Sequence, residues 1–194
     1  LILGGYGILG GREGAKQSST SHGGTPFRAI DNDNNMGRND RLPGKEGHRC
    51  HVHEWHYNSV THTRNERNPW WRSPRNSKIQ TFQEIEVWRR ADCCQDRYET
   101  LEVWVGFDGV TYNGDGNSQC GERISKAQSK NLQAEPNQKH GKFAGAYKFP
   151  CEGADGVYVW AVLANKHTTL MIGEIVAKDM NGQIINLGAS DSVS

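Results

Sequence analysis

The stretch RRADCCQDR, residues 89 to 97, sets Cys93 and Cys94 side by side, with Arg89, Arg90 and Asp92 before them and Asp96 and Arg97 after. Neighbouring Cα atoms lie about 3.8 Å apart, below the usual separation for a disulfide, so bonding the two thiols closes a strained small ring. Strain of that kind usually marks a site. From the pair alone two other arrangements stay open: two buried reduced thiols, or two cysteines each bonded elsewhere. A second reactive stretch, HRCHVHEWH, gathers His48, Cys50, His51, His53 and His56, whose types could coordinate Zn²⁺ or Cu²⁺. Histidines close in sequence need not converge in space, so a plain polar loop is the reading with more weight there.

The elements that must position these residues are strands. LEVWVGF at 101 to 107 alternates Leu101, Val103, Val105 and Phe107 against Glu102 and Trp104, and GVYVWAVLA from Gly156 repeats the pattern. IQTFQEIEVW and TLMIGEIVAKD read the same way, while helical periodicity is almost absent. Such strands, separated by Gly, Asn, Asp and Pro, predict an all-β antiparallel sandwich or jelly roll. The polar stretches 32 to 58 and 113 to 142 are predicted to stay out of that core as long surface loops. In WWRSPRNSK, Pro74 removes a ladder donor, so that strand is expected to be irregular or at an edge.

With 194 residues the chain can bury a full core in one domain, and a formal net charge of +1 gives no support for nucleic acid or anionic membrane as the main partner. No run approaches the roughly 18 apolar residues of a membrane helix, so no membrane insertion is expected. The apolar, Gly-rich opening LILGGYGILGG reads either as a mature N-terminus or as a remnant beside a removed signal. Cys50, Cys93, Cys94, Cys120 and Cys151 form an odd set without a CxxC repeat, which argues against a structural zinc knuckle. Two disulfides and one spare thiol fit an oxidising, secreted setting.

THT, NPWWR and VWRRADCCQDR together resemble the sugar-binding signature of the F-type lectin (fucolectin) family: a His, then, more than two dozen residues on, Arg, a small residue, Asp, a Cys pair and a second Arg. GREGAKQSST, FRAIDND and the final FPC, GVYVWAV and GEI follow the family's order, so the similarity runs from about Gly10 to about Asp179. It implies a discoidin-like sandwich over residues 10–180, with an N-terminal extension 1–9 and a C-terminal tail 181–194. It also implies binding of terminal L-fucose on glycans, without catalysis. The implied sugar grip falls on His62, Arg90 and Arg97, with Asp92 holding the guanidiniums and a bonded Cys93–Cys94 forming an apolar plate against the sugar. Fixed donors on guanidinium and imidazole groups suit the hydroxyls and ring oxygen of a neutral pyranose. The interval from His62 to Arg90 is one residue longer than the family pattern. Arg89 is therefore a competing first arginine, and Arg90 is preferred because a small residue and Asp follow it.

The resemblance further implies structural Ca²⁺, held by the side chains of Asp31, Ser59 and Glu174 and the carbonyl oxygens of Arg28, Asp33 and Gly173. Hard oxygens from distant segments are what that ion takes; the alternative is an Asx-rich turn without an ion. Where the family places one disulfide, this chain has Val60 and Gly173, so both halves are missing together. The remaining family bridge falls on Cys120 and Cys151. Cys50 is then the spare thiol, free or joining two chains, so a homo-oligomer is compatible with the sequence. Trp70 and Trp71 are expected in the core, and Trp55 could stack on a second sugar.

Three classes of function therefore stand. One is a fucose-binding lectin acting on fucosylated glycans, and the second is a metal-binding or extracellular-matrix structural protein using the His-rich loop 48–56. The third, an enzyme, has no GxSxG, HExxH or phosphate loop to support it.

Overall fold

The computed structural model describes residues 14–21, 25–30, 61–89, 95–131 and 146–187. Strands within these are β1 (Lys16–Gln17), β2 (Glu66–Arg67), β3 (Trp70–Arg72), β4 (Gln80–Arg89), β5 (Leu101–Gly106), β6 (Asn117–Cys120), β7 (Ala146–Gly156), β8 (Tyr158–Leu163), β9 (His167–Thr168), β10 (Ile172–Lys178) and β11 (Ile184–Ile185). One α-helix, α1 (Lys126–Asn131), and two 3-10 helices, Pro26–Ala29 and Gln95–Tyr98, accompany them. A five-stranded sheet in the order β1-β3-β8-β5-β6 faces a four-stranded sheet in the order β11-β10-β4-β7, and β2 pairs with β9. Every pairing is antiparallel.

The core between the sheets follows from alternation. Leu101, Val103 and Val105 of β5 point inward beside Val159, Ala161 and Leu163 of β8. Facing them are Phe82, Ile85 and Val87 of β4, Tyr147 and Phe149 of β7, and Ile175 and Ala177 of β10. Each fully buried side chain of this size contributes roughly 1.5–3 kcal/mol of transfer free energy. Glu84 and Glu86 take the opposite face of β4, where Lys178 reaches both, at 3.2 and 2.6 Å.

In β8 every residue is buried rather than every second one. Its outer face is covered as well, because the turn after β5 folds back over Tyr158 and Trp160. Trp160 Nε1 donates to the Asp108 carbonyl at 3.1 Å, Arg72 Nη1 donates to the Gly109 carbonyl, and the Arg72 guanidinium lies 4.5 Å from the centre of the Tyr158 ring. Phe107, expected inward, is 48% exposed. The strand has already ended at Gly106, where β7 passes so close that a Cβ on Gly156 would sit 2.5 Å from the Gly106 nitrogen. Asp108 organises the turn by accepting from the Val110 amide at 2.6 Å and the Thr111 hydroxyl at 2.8 Å.

Pro74 acts as expected. β3 stops at Arg72, and the Ser73 hydroxyl replaces a ladder carbonyl by accepting the Val159 N–H at 3.0 Å. Trp71 is fully buried and Trp70 partly so, edge-on to Trp160.

Two boundaries differ from those expected. The stretch 113 to 142 contains β6 and α1, and buries Cys120, Ile124 and Ser129. β6 (NSQC) shows no apolar alternation because it is an edge strand, held by backbone pairing with β5 and by the Cys120–Cys151 disulfide to β7. The fold also continues past residue 180, since β11 pairs with β10 and Leu187 joins the core. The extension 1–9 and the whole insertion 32–58, including His48, Cys50, His51, His53, Trp55 and His56, lie outside the described residues.

Breaking the bridge with Cys120→Ala and Cys151→Ala together should lower unfolding free energy by about 3–4 kcal/mol, the value for a loop of this separation, 31 residues. Denaturant melts of the double variant check this. The Asp108 carboxyl is held below its ordinary value, first by the Val110 amide and then by the Thr111 hydroxyl. A lowered folded value means that the cap is complete above the ordinary aspartate range and is lost only as pH falls through the folded value. The Val110 amide resonance should therefore titrate with a midpoint below 3.8.

Candidate functional site

His62 sits on a segment that is extended but is not a regular strand. The Thr61 N–H donates to the Ile172 carbonyl at 2.8 Å and the Thr63 N–H to the Leu170 carbonyl at 3.1 Å. In the reverse direction the Ile172 N–H donates to the Thr61 hydroxyl and the Leu170 N–H to the Thr63 hydroxyl, each at 2.9 Å. Threonine side chains thus stand in for the backbone carbonyls of a ladder. Between them the His62 carbonyl accepts the Ser21 N–H at 2.9 Å and Gln17 Nε2 at 3.3 Å, so the N-terminal segment closes the other side. That segment is itself held by Ser18 and Ser19, whose hydroxyls donate to Glu66.

The His62 ring is 7% exposed and its Nδ1 lies 2.8 Å from the Thr63 carbonyl. A carbonyl only accepts, so Nδ1 carries the proton, and Nε2 of the neutral ring is an acceptor rather than a donor. That tautomer suits a ligand hydroxyl that donates a hydrogen bond to His62 while taking hydrogen bonds from guanidinium groups.

Arg97 is half-buried in the 3-10 helix Gln95–Tyr98. Three contacts fix that helix. Tyr98, buried, donates its hydroxyl to the Met171 carbonyl at 2.5 Å. Lys166 Nζ donates to the Arg97 carbonyl at 3.3 Å and lies 3.6 Å from the Glu99 carboxylate. Thr100, at φ 71, donates its N–H to the Ile124 carbonyl at 2.8 Å.

Arg89, the competing first arginine, ends β4 and faces inward. It is 3% exposed, Nη1 donates to the Ser129 carbonyl of α1 at 3.3 Å, and the guanidinium lies 5.7 Å from the centre of the Tyr147 ring. A guanidinium engaged in this way ties α1 to the sheets. Arg90, Asp92, Cys93 and Cys94 lie outside the described residues, in the segment that links Arg89 to Gln95.

Of the oxygen donors named for Ca²⁺, Asp31, Asp33 and Ser59 also lie outside the described residues, as does Val60. The other three occupy neighbouring elements. Arg28 belongs to the 3-10 helix Pro26–Ala29, which packs on β10 and is anchored by Trp71 Nε1 donating to the Pro26 carbonyl at 2.7 Å. Gly173 lies in β10 where the register shifts between Ile172 and Glu174, and Glu174 is buried next to it. Gly173 and Glu174 thus stand at an irregularity of the ladder, next to the helix that carries Arg28. Among the described residues no three His, Cys, Asp or Glu side chains cluster. The implied set would not form such a cluster from those residues, since Glu174 is its one described carboxylate.

Sequence reasoning missed Thr61, Thr63, Tyr98 and Lys166. The two threonines stood in the quoted THT, but a β-branched residue in an extended run gives no sign that its hydroxyl substitutes for a carbonyl.

No protein-family model matches the chain. A 66-residue segment is 33% identical to Fucolectin-4 of Anguilla japonica, covering 34% of this chain and 35% of that protein. Another alignment of 66 residues is 30% identical to a fucolectin of Anguilla anguilla, covering 34% and 40%. The match thus spans well under half the length of these curated relatives. Among solved structures, an F-lectin from Morone saxatilis serum superposes with a TM-score of 0.59 at 24% identity, over 86% of this chain and 46% of that one. The lectin domain of lectinolysin, solved with Lewis B antigen, gives 0.56 at 21% identity, over 86% and 92%. The chain thus shares the β-sandwich fold of these lectins, and about a third of its length is similar in sequence to fucolectins.

Proposed function

We propose that this chain is a non-catalytic lectin that binds terminal L-fucose on glycans through His62, Arg90 and Arg97, in an extracellular setting. The observation that carries the reading is the rigid mounting of His62, on a segment bonded along both sides and with Nδ1 2.8 Å from the Thr63 carbonyl. Arg97 is mounted on its own anchored helix. The inward-facing Arg89 supports Arg90 as the other guanidinium. The eel fucolectins, the serum source of the bass lectin and the disulfide support the sugar class and the compartment.

A fucose hydroxyl donates a hydrogen bond to His62 Nε2, while Arg90 and Arg97 donate to hydroxyl and ring oxygens. Each of these bonds is strengthened by the positive charge of its donor. Asp92 orients the guanidiniums, and the Cys93–Cys94 plate takes the apolar face of the sugar. Groups fixed before binding lower the ordering cost that association must overcome. Ca²⁺ held by the side chains of Asp31, Ser59 and Glu174 and the carbonyls of Arg28, Asp33 and Gly173 would cross-link the segments beneath the site.

Arg97→Ala should abolish retention on fucosylated glycans while the melting temperature stays close to that of the parent, since the helix is held by Tyr98, Thr100 and the Arg97 carbonyl, which the substitution keeps. Arg90→Ala should do the same, whereas Arg89→Ala should cost about 2 kcal/mol or more of stability by removing a buried charged donor. A glycan array with free L-fucose as competitor, read beside thermal melts, separates the three variants. Binding that fucose fails to displace would overturn the proposal. EDTA should lower the melting temperature, and added Ca²⁺ should restore it.

A further inference from the structure

The groups that mount His62 and those that mount Arg97 meet on one short piece of backbone. Leu170 and Ile172 exchange hydrogen bonds with Thr63 and Thr61, in both directions. Met171, between them, accepts the Tyr98 hydroxyl on its carbonyl. In an extended chain successive carbonyls point to opposite sides. The segment 170–172 is therefore gripped from one side by the His62 segment and from the other by the helix of Arg97, and all three of its residues are buried.

We infer that Thr61, Thr63 and Tyr98 are positioning residues of the sugar site, acting through the backbone of 170–172 to fix the separation of His62 and Arg97; this rests on the lectin reading above. Hydrogen bonds to a sugar are directional and need their donors and acceptors placed to about 0.5 Å. Removing the Tyr98 hydroxyl takes away the bond that ties Met171 to the helix of Arg97, and the segment shifts. Its neighbours Leu170 and Ile172 carry that movement to Thr63 and Thr61, and so to His62. The converse path runs from Thr63 to Arg97.

The test compares Tyr98→Phe and Thr63→Val with Ser73→Ala. Ser73 uses its hydroxyl in the same way, but toward Val159 and away from 170–172. Titration calorimetry with L-fucose, well below every melting temperature, reads only folded protein. Tyr98→Phe and Thr63→Val should each weaken binding about fivefold, the effect of one ordinary hydrogen bond. Thr63→Ser should restore affinity, and Ser73→Ala should lose stability but not affinity.

A crossed readout in the free protein needs no sugar. Tyr98→Phe should shift the ring nitrogen resonances of His62, and Thr63→Val should shift the Nε resonance of Arg97, while Ser73→Ala moves neither. Unchanged affinity together with unchanged crossed resonances would overturn the inference. If the parent chain does not bind fucose, the lectin reading falls and the crossed resonances alone decide: movement upholds the coupling and constancy overturns it.

Discussion

The structure around the site depends on side-chain hydroxyls taking the place of backbone carbonyls. Buried N–H groups must be paired. At Ile172, Leu170 and Val159 the partner is a hydroxyl of Thr61, Thr63 or Ser73, not the carbonyl that a regular ladder would offer. Each substitution lets a segment lie along a strand without keeping strand geometry itself. At Ser73 this accommodates Pro74. At Thr61 and Thr63 it lets His62 emerge from a segment bonded on both sides, facing 170–172 on one and the N-terminal segment on the other. Segments placed in this way can carry irregular sequence and still be rigid, which a binding group needs and an ordinary loop does not provide.

Below that layer the scaffold is a conventional two-sheet core, with a second, smaller apolar cluster on the outside of the five-stranded sheet. Val157, Tyr158 and Trp160 are buried there beneath Trp70, Trp104 and Tyr112. The turn that covers them is held by Asp108 and by Asn117, whose side chain bonds Asp108, Thr111 and Tyr112. This cluster lets β8 be apolar on both faces. It stands by the end of the sandwich where β5 finishes and β8 begins, whereas Arg89, Leu101 and Ile172 mark the end that carries the candidate site.

How legible this was in the sequence depended on which interaction placed each residue. Leu101, Val103 and Val105 were readable because burial on one face imposes a period of two. β8 was recognised as a strand, but its two-sided burial was not, since the cover comes from a turn many residues away. β6 was missed because an edge strand with a covalent tie needs no apolar pattern. Leu187 was assigned to a tail because Ile184 and Ile185 are too short a run to announce a strand. His62 and Arg97 were named through the resemblance alone, as no periodicity marks them. Arg90 was preferred to Arg89 from the small residue and Asp that follow it, and the engagement of Arg89 by Ser129 and Tyr147 could not be read from sequence. The hydroxyl roles of Thr61, Thr63 and Tyr98 were invisible, because they depend on where Leu170, Met171 and Ile172 lie in space.

The two long edges of the sandwich are closed by different means. On one side the Cys120–Cys151 bond joins β6 of one sheet to β7 of the other. On the other, the 3-10 helix Pro26–Ala29 lies against β1 and β10 and puts Ala29 into the gap without a covalent link. A sandwich closed in this way breathes like a book bound along one spine. Only the fore-edge at Ala29 could open without breaking a covalent bond, with the bonded edge acting as hinge. Arg28, Gly173 and Glu174 all lie on that fore-edge. A ligand bridging them would act as a clasp, and whatever loosens the clasp is felt next at residues 170–172.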